Sequence, residues 1–171
     1  MGIFSVIKNR LNSSYLIEWQ NKLLAEPSNR LIMNANRLKS VTEQQIQNDI
    51  RIILDSEKII TTSKNAETFF TRLNLMEEKM KHAASLEEYI SFNSLKPSEA
   101  LKQFYLEKDE IIMEFLKRYY IALLEKTDSL KTEKAKINQC RKFREALIPF
   151  HGQLKSNHLQ YIQPKLNLYH D

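Results

Sequence analysis

Four histidines and a single cysteine are the side chains best suited to hold a metal or move a proton in this chain of 171 residues. Their spacing argues against both tasks. His82, His151, His158 and His170 form no H-x-x-x-H pair, no H-E-x-x-H and no Glu-x-x-His of the di-iron bundle kind. Glu78 and His82 stand one helical turn apart, which predicts a surface pair rather than half a metal site. His151 and His158 lie in or beside the segment around Gly152, where histidines are expected to be solvated. Cys140 shares a helical stripe with Ile137 and Leu147, so it reads as a small buried hydrophobe. The competing reading is a nucleophile activated by Arg141 and Lys142. Adjacent carboxylates such as Asp109-Glu110 and Glu87-Glu88 diverge on a helix and cannot share a substrate. Gly2 and Gly152 are the only glycines, too few for a phosphate-cradling loop. The expectation is a protein that is not an enzyme, with no cofactor and no metal.

Charge and amphipathic pattern offer binding rather than catalysis. The net charge is +5, unevenly spread: residues 1–40 carry six Lys/Arg against two acids, residues 41–130 twelve against sixteen, and residues 131–171 eight against three. Lys131, Lys134, Arg141 and Lys142 recur near spacings of three, four and seven. They are the candidate polyanion-binding residues, since backbone phosphates attract such a face without any base readout; the alternative is a solvated face on a bundle with an acidic middle. The opening MGIFSVIKNRL has Ile3, Phe4, Ile7 and Leu11 on one helical face and Ser5, Lys8, Asn9 and Asn12 on the other. Those four apolar residues are the candidate membrane-binding set; the alternative is a first core helix or a partner contact. The myristoylation pattern fails, because position 6 is Val. Tyr89, Tyr105, Tyr119, Tyr120 and Tyr161 are candidates for a protein interface, where aromatics are enriched; the alternative is that most are core residues with a hydroxyl reaching solvent.

The elements that must position these residues are helices. Two glycines and four prolines cannot supply the tight turns of a β-rich fold, whereas Leu, Ile, Lys, Glu, Gln and Asn run in long tracts. The pattern predicts an all-α, antiparallel bundle of about five to seven helices in a single domain. Within it, an amphipathic helix of 1–26 stands partly apart and residues 150–171 form a short helix and tail. Pro27 stops the first helix, and Ser28 or Asn29 caps a short second one to about Lys39. Thr42-x-x-Gln45 has capping-box spacing and predicts a third helix to about Thr62, with Ile46, Ile50, Ile53, Leu54 and Ile60 inward. Asn65 caps a fourth along Ala66, Phe69, Phe70, Leu73, Met76, Met80 and Ala83. Ser85-x-x-Glu88 suggests a break, a short helix to about Ile90 and a loop to Lys96. Pro97 then opens the longest helix, to about Lys126, lined by Leu101, Tyr105, Ile112, Phe115 or Leu116, Tyr119 and Leu123. Another spans about 132–148 with Ile137, Cys140, Phe143 or Arg144, and Leu147 inward, and a last short one lies near 157–163. Arg72 and Arg118 flank aromatic anchors and are expected to form ion pairs with Glu77, Glu114 or Glu125.

Two stretches, SKNAETFFTRLNLMEEKM (63–80) and FLKRYYIALLEKTDSLKTEK (115–134), resemble segments of uncharacterised helical proteins of low-GC Gram-positive bacteria and their mobile elements. Weaker similarity runs through LKPSEAL (95–101) and DIRIILDSEK (49–58). The resemblance covers roughly residues 46–145 and implies an all-α fold and a bacterial cytoplasm; it carries over no functional residue. The five residues MGIFS also look like the start of the phage-shock and thylakoid membrane-remodelling proteins, whose first helix lies on lipid. No apolar run approaches the length of a membrane span, no signal peptide is read at the N-terminus, and one cysteine allows no internal disulfide. A bacterial, cytoplasmic interaction module is therefore expected. Its partner is another protein or a second copy of the chain, with a membrane surface or nucleic acid as the alternatives.

Overall fold

A computed structural model describes residues 28–87 and 96–167, with side chains from residue 35. Every described element is helical. The order is α1 (Ser28–Thr62), α2 (Ala66–Leu86), α3 (Pro97–Asp128), α4 (Glu133–Leu147), a 3-10 segment (Ile148–Gln153) and α5 (Ser156–Leu166). The all-α expectation therefore holds. Contacts divide the chain into two compact units, one formed by Met1–Ile53 with Glu78–Leu101 and the other by Leu54–Glu77 with Lys102–Asp171.

In the first unit, Ile46 on α1 packs on Ala83 and Leu86 of α2, with Leu38 and Ile50 against them. The helix segments run antiparallel: Ile46 meets the end of α2, while Asp49, one turn on, reaches back to Lys79 and His82. Ser98, at the start of α3, donates its backbone N–H to Glu87 at 2.7 Å. This carboxylate satisfies one of the amides that a helix start leaves unpaired.

The second unit is built round aromatic rings. Phe69 stacks on Phe115 with centroids 3.9 Å apart, Phe70 stands edge-on to both, and Phe150 stacks on Phe70 at 4.7 Å. Tyr119 and Phe143 extend the chain of rings. Offset and edge contacts of this kind add to the area term because the rings are quadrupoles. Leu73, Ile112, Leu116, Leu123, Leu147 and Ile162 are buried in the same unit. Residues 63–80 and 115–134 supply Phe69, Phe70, Phe115 and Tyr119, most of this aromatic core.

Several local expectations are corrected. Thr42 does not begin a helix: α1 runs unbroken for 35 residues. No Pro or Gly stops the chain between Lys39 and Thr42, and a capping box starts a helix only where one has ended. Thr42 is buried and its hydroxyl donates to the Leu38 carbonyl at 2.9 Å, the back-bonding by which a threonine is accommodated inside a helix. Ser85 likewise donates to the His82 carbonyl within α2 rather than starting a new helix; the short helix and loop expected over 88–95 lie outside the described residues. On α1 Leu54 is exposed, while the polar Asp49 and Ser56 are buried in its place. On α3 the inward stripe contains Phe104 in place of the expected Tyr105, which is exposed. Asn65 does cap α2, its Oδ1 accepting from the Thr68 N–H at 2.9 Å, and Thr132 caps α4.

Candidate interaction surface

Asp49, His82 and His158 hold helix segments together. The carboxylate of Asp49 is fully buried, and His82 Nδ1–H donates to its Oδ2 at 2.5 Å. Gln45 donates to Oδ1 at 3.4 Å and Lys79 Nζ stands 4.0 Å away. A buried carboxylate is tolerable only with such partners. His82 thus pairs across to α1, while Glu78 has Lys79 at 3.4 Å.

His158 is fully buried, not solvated as its position near Gly152 suggested. Its Nδ1 accepts the Lys155 N–H at 3.1 Å and its Nε2–H donates to the Asp109 carbonyl at 3.0 Å. The ring therefore closes the start of α5 and ties it to α3. Lys155 pairs with the Asp109 carboxylate beside it. His151 is exposed, as expected, and His170 lies outside the described residues.

Arg118 is a second correction. Its Nη2 donates to the Ile60 carbonyl at 2.8 Å and its Nε to the Ser63 carbonyl at 3.4 Å. It caps the end of α1, where the last carbonyls have no helical partner. Burial pulls its pKa down from the usual guanidinium value, with Glu114 opposing. The carboxylates expected to pair with it go elsewhere: Glu77 to Lys108 and Tyr105, Glu114 to Lys117, and Glu125 to Lys64.

Cys140 is buried, and burial pushes its thiol pKa up, against a smaller opposing effect of Arg144. That is the reverse of what a nucleophile needs. Among the described residues, no group of three or more His, Cys, Asp or Glu is placed to hold a metal ion, and no helix is long and apolar enough to cross a membrane.

Among the described residues, the tyrosines take different roles. Tyr119 is buried and its hydroxyl donates to the Phe143 carbonyl at 2.6 Å. Tyr120 and Tyr161 flank the Lys165 ammonium, 5.6 and 3.9 Å from their centroids. Tyr105 is exposed with its hydroxyl on Glu77, and Tyr89 lies outside the described residues, as do Ile3, Phe4, Ile7 and Leu11.

Among the described residues, two exposed surfaces on helices of the second unit are open to a partner. All four candidate cations, Lys131, Lys134, Arg141 and Lys142, are exposed. Lys131 precedes α4; the other three lie on the side of α4 away from Cys140, Phe143 and Leu147, which are buried. Arg141 has Glu145 at 3.9 Å, one turn on. The other surface was not evident from the sequence. On α3, opposite the buried Phe104, Ile112, Phe115 and Tyr119, an outward band carries Leu106 at 78% exposure and Ile121 at 49%, with Glu107, Glu110 and Glu114 between them. Its signal was the recurrence of Leu106, Glu110, Glu114 and Ile121 at helical spacing, hidden by the stronger inward stripe. No protein-family model, curated protein or solved structure matches this chain.

Proposed function

We propose that this is a non-enzymatic, cytoplasmic bacterial protein that acts as a protein-interaction module, presenting the outward face of α3. The observation that carries the reading is Leu106, 78% exposed on the side of α3 opposite its buried stripe, with Ile121 on the same band. An apolar side chain so exposed is cheap singly, but apolar residues set in a charged band on one rigid helix make a contact surface. The structural use of Asp49, His82, His158 and Cys140 supports a role without catalysis. The resemblance of residues 63–80 and 115–134 to helical proteins of Gram-positive bacteria supports the assignment to a bacterial cytoplasm.

The test compares capture from cell extract by the full chain and by the Leu106→Asp, Ile121→Asp double variant, at matched helicity by circular dichroism. A protein recovered by the wild type and lost by the variant supports the reading. Equal recovery of the same proteins by both sinks it. A second reading, polyanion binding through α4, is favoured by the shared exposure of Lys131, Lys134, Arg141 and Lys142.

A further inference from the structure

Three positions on one outward face match three on the other. On α3, Glu107, Glu114 and Ile121 recur every seven residues, so they lie in one stripe along the helix. Glu107 is exposed, as are Glu114 and Ile121. Lys134, Arg141 and Ile148 repeat the same spacing on α4 and the turn that continues it, and all three are exposed. Ile148 itself is 55% exposed and has helical dihedrals, φ −53° and ψ −45°, so the stripe continues to it unbroken.

Laid side by side in the same direction, the stripes set Lys134 on Glu107, Arg141 on Glu114 and Ile148 on Ile121. Each spans 14 steps of a helix, about 21 Å. Within one copy these groups do not meet: Glu114 pairs with Lys117 and Arg141 with Glu145, both one turn along their own helix. Such exposed neighbours are worth little and exchange readily for better partners.

We propose that the chain self-associates, the α3 stripe of one copy packing in parallel register on the α4 stripe of another. This rests on the reading of the α3 face as an interaction surface and names its partner as a second copy. Every copy carries both stripes, so a two-fold dimer would use the contact twice. Charge register supplies orientation and partner choice, while the isoleucine pair gives the contact an apolar end.

The experiment measures solution mass by sedimentation of the full chain against its monomer mass of 20.3 kDa. Four variants or mixtures are compared with the wild type at low salt and at about 0.5 M salt, where charges more than a few ångströms apart are screened. One variant carries Glu107→Lys and Glu114→Lys; another carries Lys134→Glu and Arg141→Glu. The third sample is an equimolar mixture of these two. The fourth carries Lys39→Glu and Arg51→Glu, exposed cations of α1 outside both stripes, and controls for net charge.

The expected result is a wild type that associates, at least tenfold more weakly in high salt. Each stripe variant alone is a monomer, the mixture associates again, and the α1 control behaves as wild type. The mixture is decisive, because one copy then offers two acidic stripes and the other two basic ones, restoring both contacts with one reversed. A wild type that stays monomeric to about 1 mM overturns the inference, as does association that survives either reversal or a mixture that stays monomeric. None of these outcomes bears on the capture test with Leu106→Asp, Ile121→Asp, so the failure of the self-pairing and the failure of the interaction reading are told apart.

Discussion

At the scale of single residues, the buried Asp49 makes the sharpest demand on its surroundings. His82→Leu removes the donor at 2.5 Å and leaves the carboxylate with Gln45 and a more distant Lys79. Orphaning a buried charge costs about 3–5 kcal/mol. With Lys79 still near, we expect about 3 kcal/mol from urea unfolding. Adding Asp49→Leu to His82→Leu should recover part of that loss, because two apolar groups leave nothing unpaired; a double variant as unstable as the sum of the singles would refute the pairing. Tyr119 gives a pH signature. Burial raises its phenol pKa far above the ordinary value, so the folded state holds the proton more tightly than the unfolded chain, which releases it near pH 10. The stabilisation is therefore complete below about pH 10 and is lost as pH rises beyond it. Urea midpoints followed from pH 9 to pH 11.5 should fall more steeply for the wild type than for Tyr119→Phe. At neutral pH the variant should lose about 1 kcal/mol, the net worth of its hydrogen bond to the Phe143 carbonyl.

At the scale of elements, helix ends rather than helix middles depend on distant residues. The end of α1 is closed by Arg118, 58 residues away from Ile60 in sequence, and the start of α5 by His158 on the Asp109 carbonyl. Arg118→Met keeps the apolar stem but removes both donors. It should cost about 1.5–3 kcal/mol, the range for hydrogen bonds from charged groups, and should speed hydrogen exchange at the last amides of α1 above the global rate. Arg118→Lys should not restore protection, since one ammonium does not reproduce the guanidinium fork. Unchanged exchange in Arg118→Met would show that α1 ends without help. The same logic explains the unbroken α1: Thr42 can cap only an end, and no residue before it makes one.

At the scale of the whole molecule, charge decides what can approach. The chain is basic at both ends of its sequence and acidic between, yet the acidic middle includes the outward band of α3, beside apolar residues. The α4 face holds Lys131, Lys134, Arg141 and Lys142, so a duplex bound there would contact no more than about four phosphates. The expected log–log dependence of DNA affinity on salt is then no steeper than about −3.6. Reversing Lys134, Arg141 and Lys142 to Glu should remove nearly all of it with little change in stability, because exposed pairs are each worth under about 1 kcal/mol. A steeper slope, or one that survives the triple reversal, would place the polyanion site elsewhere.

The helical class was legible because it rests on local chemistry: the scarcity of Gly and Pro, the period of Ala66, Phe69, Phe70 and Leu73, and the Asn65 cap all act within a turn or two. The aromatic core was legible for the same reason, since large rings at helical spacing have few places to go but inward. Tertiary structure alone decided which partner each polar group takes. Asp49 and His82 are 33 residues apart and His158 and the Asp109 carbonyl 49, distances over which sequence spacing says nothing of approach. It also decided which of two apolar stripes on α3 faces inward. Phe104 and Tyr105 are neighbours in sequence, and only the packing of Phe115 on Phe69 rotates the helix so that Phe104 is buried and Leu106 is left outside.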